Sequence, residues 1–270
     1  MHRYQQFTFI FAISTIALCA KASPLEEVIV EATLLASDTQ TISLTTLDED
    51  ALDQRGSIHL EDALTLAANT NASAGASRQR FFQIRGIGER SQFIEPNNPS
   101  VLVLLDGIDI RGLGGALTSY DLVQIDVLRG PQGSRMGAGA LAGLINLTTQ
   151  KPTAELAAGA SLGVESYGGS RASVFANSAI GSGLSARLAH QQYQSDGWSK
   201  NTHLGREDTN ARDEQTTRLG LQYQTGQQQF DIGLHRIDVD NGYDAFSLDN
   251  KRTTLSDQPA GDSLDLIAAR

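Results

Sequence analysis

The stretch from Leu122 to Pro152 places many glycines between two short runs of residues typical of β-strands. The runs are Ile125–Leu128 and Leu144–Thr149, and between them lie five glycines: Gly130, Gly133, Gly137, Gly139 and Gly143. Glycine adopts positive φ angles without strain and lets two backbones approach closely. So many glycines in a short stretch predict a tightly turned, closely packed connection between two strands rather than a flexible linker.

The N-terminus has the parts of a secretory signal peptide. A weakly basic start precedes the apolar run Phe7–Leu18, and Ala20-Lys21-Ala22 resembles a cleavage site. The apolar run is well short of the roughly 20 residues that a transmembrane helix needs. The only cysteine, Cys19, follows a large leucine, which disfavours lipidation of its sulfur. We therefore predict that residues 1–22 are removed and that the mature chain has no cysteine.

The charge balance restricts the partners of the chain. Its 31 acidic residues outnumber its 21 basic ones and give a formal net charge of −10. Binding to nucleic acid requires clustered Lys and Arg, and the sequence contains no such cluster. We therefore predict no nucleic-acid partner. Together with the export signal, the composition indicates a periplasmic, secreted or outer-membrane protein.

Short elements of both types are predicted between the signal peptide and the glycine-rich stretch. The predicted elements are a strand at Thr41–Thr45, a helix at Asp48–Gln54 closed by Gly56, and a helix from Ser57 to about Ala67. Asn69–Ser77 is small and polar and is predicted as a loop. The continuous apolar run Val101–Leu105 fits a central strand that is buried on both faces.

Three stretches carry candidate functional residues. Glu27–Ala32 holds three β-branched residues between acids, which is either a first strand or a peptide that pairs with a partner's sheet edge. Phe81–Gly88 is mainly apolar but contains Arg85, whose charge needs a carboxylate or carbonyl partner when buried. Asp106 and Asp109 have no His or third acid nearby, so they are predicted as turn formers rather than as a metal or catalytic pair.

The region from residue 153 to residue 270 alternates between apolar and polar residues. Leu156–Glu165 is apolar at its even positions, and Phe230–His235 sets three apolar residues against Asp231, Gly233 and His235. Thr217–Thr225 places Gln222 and Gln224 on its polar face, which suits a wet lumen better than a protein core. The turn at 181–183 is short, and the segment at 195–215 is long and polar. This pattern is typical of an outer-membrane β-barrel, although a soluble β-sandwich also alternates.

Four motifs, in this order, resemble those of the TonB-dependent outer-membrane receptors. They are EEVIVEA, which resembles the TonB box, then QIRGIG, VLVLLDGIDI, and the stretch from IDVLRGPQGS to GLINLTT. The resemblance implies an α+β plug domain, a small mixed sheet with short helices, followed by antiparallel transmembrane β-barrel strands of an incomplete 22-stranded barrel. The implied domains are the signal peptide (1–22), the TonB box and linker (23–40), the plug domain (41–152) and the first barrel strands (153–270).

The resemblance also implies a function, a location and a set of site residues. Such a receptor lies in the lipid of the bacterial outer membrane and takes up a scarce nutrient, a ferric siderophore or similar chelate, when TonB of the inner membrane moves the plug. Neither a catalytic residue nor a cofactor or metal site is implied. The implied residues are the TonB box (Glu27, Val28, Ile29, Val30, Glu31, Ala32), two anchors to acids on the barrel wall (Arg85, Arg129), the plug glycine turns (Gly86, Gly88, Gly107, Gly130, Gly133, Gly137, Gly139, Gly143) and a ligand-facing apex (Arg111, Gly112, Leu113, Gly114, Gly115).

Two features depart from the family's pattern. Arg135–Gly139 stands where these receptors usually carry an aromatic residue and a basic–polar pair. The residues after the plug suffice for roughly five or six strands of 9–11 residues, and lipid cannot satisfy the edge of an open sheet. The C-terminal sequence LIAAR also lacks the usual terminal aromatic residue. We therefore expect the chain to be a fragment of a longer protein.

Two other functions remain open from the sequence. Gly137–Gly143 can be read as a dinucleotide-binding turn with Glu155 as its acid, but that motif requires a strand directly before the glycines and a helix beginning in them. A periplasmic or surface β-rich binding protein without TonB coupling would also show the alternating strands. A sensory receptor would usually carry an extra domain before the TonB box, and the span from Ser23 to Glu27 is too short for one.

Overall fold

The computed structural model describes residues 43–74, 77–89, 100–110, 112–137, 139–245 and 252–270. The predicted signal peptide and TonB box lie outside this part of the chain. Residues 43–152, predicted as the plug domain, keep that name below. The elements of the plug domain are β1 (Ser43–Asp48), α1 (Glu49–Arg55), α2 (Leu60–Leu64), β2 (Thr70–Ala74), β3 (Gln79–Ile84), β4 (Val101–Leu105), β5 (Ile108–Asp109), β6 (Leu122–Arg129), α3 (Gly133–Met136) and β7 (Gly143–Thr149), with a single 3-10 turn at Gly114–Ala116.

The plug domain is built on a five-stranded mixed sheet in the order β1-β6-β7-β4-β5. β4 is parallel to β7, and the other neighbours are antiparallel. All five residues of β4 are buried, as the apolar run predicted. The runs on either side of the glycine-rich stretch are the paired strands β6 and β7, so the predicted strand–turn–strand connection is confirmed.

The first predicted helix is confirmed with its caps. Asp48 is the N-cap of α1, and its Oδ1 accepts a hydrogen bond of 2.9 Å from the N–H of Ala51. Gly56 ends the helix in the left-handed conformation, with φ of 65°. Both signals are local in the sequence, which is why they predict the helix correctly.

Two other predictions for this region are wrong in part. The second helix, α2, begins at Leu60 with His59 rather than Ser57 as its N-cap. Asp62 Oδ2 accepts hydrogen bonds from the N–H groups of Ile58 and His59, which satisfies donors at the start of the helix. The predicted loop at Asn69–Ser77 contains β2, because pairing with β3 outweighs the weak strand preference of its small polar residues.

The second half of the described chain forms a six-stranded antiparallel sheet, called the large sheet below, in the order β15-β13-β12-β10-β9-β8. The strands after the plug domain are β8 (Ala157–Val164), β9 (Ser170–Gly181), β10 (Leu184–Ser195), β11 (Lys200–Asn201), β12 (Arg212–Thr225), β13 (Gln228–Asp244), β14 (Thr253–Thr254) and β15 (Pro259–Ala269). Short turns join β9 to β10 and β12 to β13 at one end. Longer connections lie at the other end, where β11 and β14 pair in parallel.

The two faces of the large sheet differ as the alternation predicts. On β13 the apolar side chains of Phe230, Ile232 and Leu234 are exposed, whereas Ile237 and Val239 face inward and belong to the buried core of the plug domain. The strand continues past the predicted Phe230–His235 to Asp244, where the outward residues become polar. Among the described residues, no helix is long and apolar enough to cross a membrane.

Candidate functional site

The plug domain meets the inner face of the large sheet through buried ion pairs. In the part of the chain that the structure describes, the charged contacts fall on four strands of the sheet: β10, β12, β13 and β15. The pairs are Asp121 with Arg187, His59 with Glu214, and both Arg78 and Arg80 with Asp262, while on β13 the imidazole of His235 contacts the carboxylate of Asp106. This set of contacts, called the plug–sheet interface below, joins parts of the chain that are far apart in sequence.

His59 and Glu214 form the most enclosed pair of the plug–sheet interface. His59 Nε2 lies 2.5 Å from Glu214 Oε2, and each side chain is about 7% exposed or less. Burial alone lowers the pKa of His59, but the carboxylates of Asp62 and Glu214 outweigh burial and raise that pKa to about 9. The second carboxylate oxygen of Glu214 accepts a hydrogen bond of 2.7 Å from Asn241. His59 is therefore a cation at neutral pH.

A single carboxylate on β15 holds two arginines of the plug domain. Asp262 Oδ1 lies 3.0 Å from Arg78 Nη1 and 2.7 Å from Arg80 Nη2. The side chains of Arg78 and Asp262 are each 5% exposed, whereas Arg80 is one-third exposed. Two guanidinium groups close to each other repel, so this arrangement depends on the negative charge between them.

The segment Thr118–Asp121 lies along β12 and β10. Arg218, which is buried, donates hydrogen bonds to the backbone carbonyls of Thr118 and Tyr120. Arg187 Nε donates to Asp121 Oδ1 at 3.1 Å, and its Nη2 contacts the same oxygen. The large sheet therefore binds the main chain of this segment as well as its acidic side chain.

Asp106 forms a turn and also binds the large sheet. Its carboxylate accepts hydrogen bonds from the N–H and the hydroxyl of Thr149, at 2.9 and 2.6 Å, and lies 3.2 Å from His235 Nε2. Burial raises the pKa of Asp106, but the nearby imidazole of His235 and the hydrogen bonds from Thr149 outweigh this effect and lower the pKa to about 2. The turn predicted from Asp106-Gly107 is present, with φ of 51° at Asp106.

Of the two anchors predicted from the sequence, Arg129 contacts the plug domain itself, and the anchoring role of Arg85 stays a prediction. Arg129 is buried, but its Nε donates to the carbonyl of Ala68 and its Nη2 to the hydroxyl of Thr45. Its partners therefore lie inside the plug domain, because β1 and the segment after α2 supply the acceptors that a buried guanidinium needs. Arg85 lies in a turn with φ of 52° and is exposed, and the described residues give it no ion pair.

Two of the five positions of the predicted ligand-facing apex are buried. Gly114 and Gly115 are buried in the 3-10 turn beneath β3, where a Cβ on Gly115 would lie 1.8 Å from the carbonyl of Gln79. Close packing of the backbone accounts for the glycines at these two positions. Gly112 is exposed and Leu113 is half-buried, while Arg111 lies outside the described residues.

The predicted glycine turns serve three different purposes. Positive φ angles are adopted by six of them, namely Gly86, Gly88, Gly107, Gly130, Gly137 and Gly139. Gly133 instead begins the helix α3 and has open space around it, and Gly143 lies in β7. Since Gly137–Gly143 leads into a strand and not a helix, the dinucleotide-binding interpretation is wrong.

Gly143→Ala should destabilise the plug domain, whereas Gly133→Ala should not. A Cβ at Gly143 would lie 2.2 Å from the carbonyl oxygen of Leu128 and 2.7 Å from Ile84 Cδ1. Such overpacking costs about 1–3 kcal/mol. Urea unfolding followed by protease sensitivity of the plug domain measures both variants. Equal midpoints for the two would contradict the close approach of β6 and β7.

A cavity of about 590 Å³ lies at the end of the large sheet that carries the long connections. Its lining includes three aromatic residues and two charged ones: Tyr167, Tyr193, Trp198, Glu165 and Arg212. It adjoins the plug–sheet interface, because Arg212 Nη1 lies 3.1 Å from His59 Nδ1 and the Tyr193 ring packs edge-on against His59. Among the described residues, no group of three His, Cys, Asp or Glu side chains could hold a metal ion.

Sequence reasoning missed the residues that form the plug–sheet interface. Glu214, Thr216 and Arg218 alternate along β12 in the same phase as Gln222 and Gln224, the face predicted to be luminal. This alternation was the sequence signal that could have identified the interface residues on the large sheet. No comparable pattern marks the partners on the plug domain, since they come from helix starts, turns and one strand.

Comparison with known proteins links this architecture to one family. Residues 36–144 match the family model described as the TonB-dependent Receptor Plug Domain. The pesticin receptors of Yersinia enterocolitica and Yersinia pestis are 33% identical over 69 residues, which is 26% of this chain and 10% of theirs. The match thus spans about a tenth of the length of these curated relatives.

Solved structures of similar fold include three iron-uptake receptors. The ferric yersiniabactin uptake receptor FyuA of Yersinia pestis aligns with a TM-score of 0.68 at 20% identity, covering 79% of this chain and 34% of that one. The ferric-catecholate import receptor Fiu of E. coli K12 gives 0.61 at 20% identity, covering 76% and 28%. FpvA of P. aeruginosa bound to a pyoverdine gives 0.65 at 17% identity, covering 86% and 31%. The plug domain followed by antiparallel strands is therefore the fold of these receptors, of which this chain spans about a third.

Proposed function

This chain carries the plug domain of the TonB-dependent receptors, and from that premise we propose that the protein takes up a scarce nutrient, a ferric siderophore or similar chelate, by TonB-energised movement of the plug. Receptors of this family are outer-membrane proteins, which is the location predicted from the sequence. The family consists of receptors and not of enzymes.

The observation that carries the proposal is the ionic character of the plug–sheet interface. A plug that closes a pore must bind its wall firmly and still be able to leave it. Ion pairs such as Asp121–Arg187 and Asp262–Arg80 hold the two parts together. When they separate in the presence of water, both charges regain solvation, which offsets part of the cost of exposing the apolar contacts of Ile237 and Val239. The interface thus suits repeated opening.

We propose that the large sheet is the first part of a 22-stranded barrel wall. Its exposed apolar residues, among them Leu188, Leu219 and Ile232, would face lipid, and its polar inner face would line the lumen. The proposed organisation keeps the signal peptide at 1–22, the TonB box and linker at 23–40, the plug domain at 41–152 and the barrel strands from 153. Glu27–Ala32 would pair with TonB through its main chain.

The class of ligand follows from the relatives and from the cavity beside the interface. FyuA, Fiu and FpvA are named for ferric yersiniabactin, ferric catecholates and pyoverdine. The lining of the cavity includes the aromatic side chains of Tyr167 and Trp198, which suit planar groups, and Arg212, which suits a negative charge. We propose that it contributes to the binding of an anionic ferric chelate.

Deleting Glu27–Ala32 from the complete receptor should abolish energised uptake and leave chelate binding intact. Uptake is measured in cells with radioactive iron supplied as ferric yersiniabactin, ferric pyoverdine and a ferric catecholate, and binding is measured in de-energised cells. The matched control is deletion of six residues from the linker, 34–39. Normal uptake without Glu27–Ala32 would favour the β-rich binding protein without TonB coupling.

A further inference from the structure

The plug domain leaves a groove on one side of the large sheet. The groove measures about 460 Å³ and separates helix α1 from the inner faces of β8, β9 and β10. In the described residues, the ion pairs and the Asp106–His235 contact between the plug domain and the large sheet involve β10, β12, β13 and β15, and none involves β8 or β9. Within this part of the chain, the charged contacts therefore lie on one side of the large sheet.

The inner faces of β8 and β9 along this groove carry small polar side chains. Ser161 is exposed in the groove, and its hydroxyl lies 3.2 Å from that of Ser173, which is also near Gln191. Gly159 and Gly163 share the face of Ser161, so this side of the groove has little side-chain volume. A surface of hydroxyls and glycines offers hydrogen bonds to a polar solute without narrowing its path.

Charges of opposite sign line the two sides of the groove. Helix α1 contributes Glu49 and Asp53, while Arg171 and Arg187 come from the large sheet. Burial and the neighbouring acids Asp53 and Asp121 raise the pKa of Glu49. Arg187 is held at the edge of the groove by Asp121 and by the ring of Phe175, 4.4 Å from its guanidinium carbon.

We propose that the transported solute crosses between helix α1 and the inner faces of β8–β10, through this groove, as the plug moves. Widening the groove separates helix α1 from β8 and β9, which share no ion pair with the plug domain in the described residues, and Asp121–Arg187 is the ion pair at its edge. A path along β12 or β15 requires a more enclosed pair such as His59–Glu214 to break. The groove suits a polar chelate that can form hydrogen bonds to its hydroxyl groups and pass between its acidic and basic side chains. This inference rests on the proposed uptake function.

A reversible obstruction in the groove tests the route in the folded receptor. Ser161→Cys is introduced into the complete receptor with Cys19→Ala, so that no other thiol remains in this chain. A bulky methanethiosulfonate reagent is attached in cells and later removed with dithiothreitol. Uptake of iron as ferric yersiniabactin, ferric pyoverdine and a ferric catecholate is measured before attachment, after it and after removal. The control is Ser182→Cys, in the exposed turn between β9 and β10.

The expected result is loss of uptake on modification of Ser161→Cys, recovery on reduction, and unchanged binding throughout, with no effect at Ser182→Cys. Normal uptake by the fully modified Ser161→Cys receptor would place the route elsewhere. Failure of the reagent to react at Ser161→Cys, while it reacts at Ser182→Cys, would show that the groove is closed and would also overturn the proposal. If the unmodified receptor takes up none of the three chelates, the proposed function fails, and the reaction at Ser161→Cys still tests the groove.

Discussion

Asp262→Asn should loosen the plug domain from the large sheet by about 3–5 kcal/mol, the range for breaking a buried ion pair by removing one partner. The asparagine keeps the shape of the side chain but removes the charge between Arg78 and Arg80. Arg78 is then buried beside a second cation without compensation, and the two guanidinium groups repel. We expect Asp262→Asn to reduce the stability of docking more than a substitution of Arg80 would, because Arg80 is one-third exposed and its partner can be replaced by solvent.

The measurement is the urea concentration at which protease first cuts the plug domain of the complete receptor. Asp265→Asn is the matched control, since Asp265 lies on the same strand, is exposed and faces Arg236 at 3.9 Å. An exposed ion pair at that distance contributes less than about 1 kcal/mol to stability. The urea concentration at which protease cuts the control variant should therefore change little. Equal shifts for Asp262→Asn and Asp265→Asn would mean that the two arginines do not depend on Asp262.

Much of the fold could be predicted from the sequence because its signals are local. The cap residues of α1, the apolar run of β4 and the alternation along β12 each lie within one element and need no partner to be recognised. The predictions that failed concern features that depend on contacts between elements. β2 is a strand only because β3 pairs with it, and β13 continues to Asp244 after its outward residues have become polar.

The candidate site was harder to predict, because a sequence shows charges but not their partners. Arg129 was expected to face an acid on the wall, yet Thr45 and Ala68 satisfy it within the plug domain. Conversely, Asp106 was identified only as a turn former, and nothing near it in sequence indicates His235, which is more than one hundred residues away. Pairs of this kind depend on how two layers far apart in sequence pack together, which local patterns do not encode.

The plug–sheet interface should weaken as the pH rises from neutral to alkaline, because His59 loses its charge. The pKa of His59 is about 9 in the folded protein against an ordinary value of 6.5. A group whose pKa is raised by folding contributes stability that is fully present below its unfolded pKa and is lost as the pH rises through its folded pKa. The difference corresponds to about 3 kcal/mol. Asp106, with a pKa of about 2, keeps its charge throughout this range.

Urea midpoints for exposure of the plug domain to protease, measured between about pH 6.5 and pH 10, test this dependence. The unmodified receptor should lose stability over that interval. His59→Gln should be less stable at the lower pH and nearly independent of pH, because glutamine keeps a hydrogen bond to Glu214 but cannot carry the charge. His190→Gln is the control, since His190 bonds to Thr217 within the large sheet and has no partner in the plug domain among the described residues. A steep pH dependence that remains in His59→Gln would show that another group titrates. It would also show that the charge of His59 does not stabilise docking.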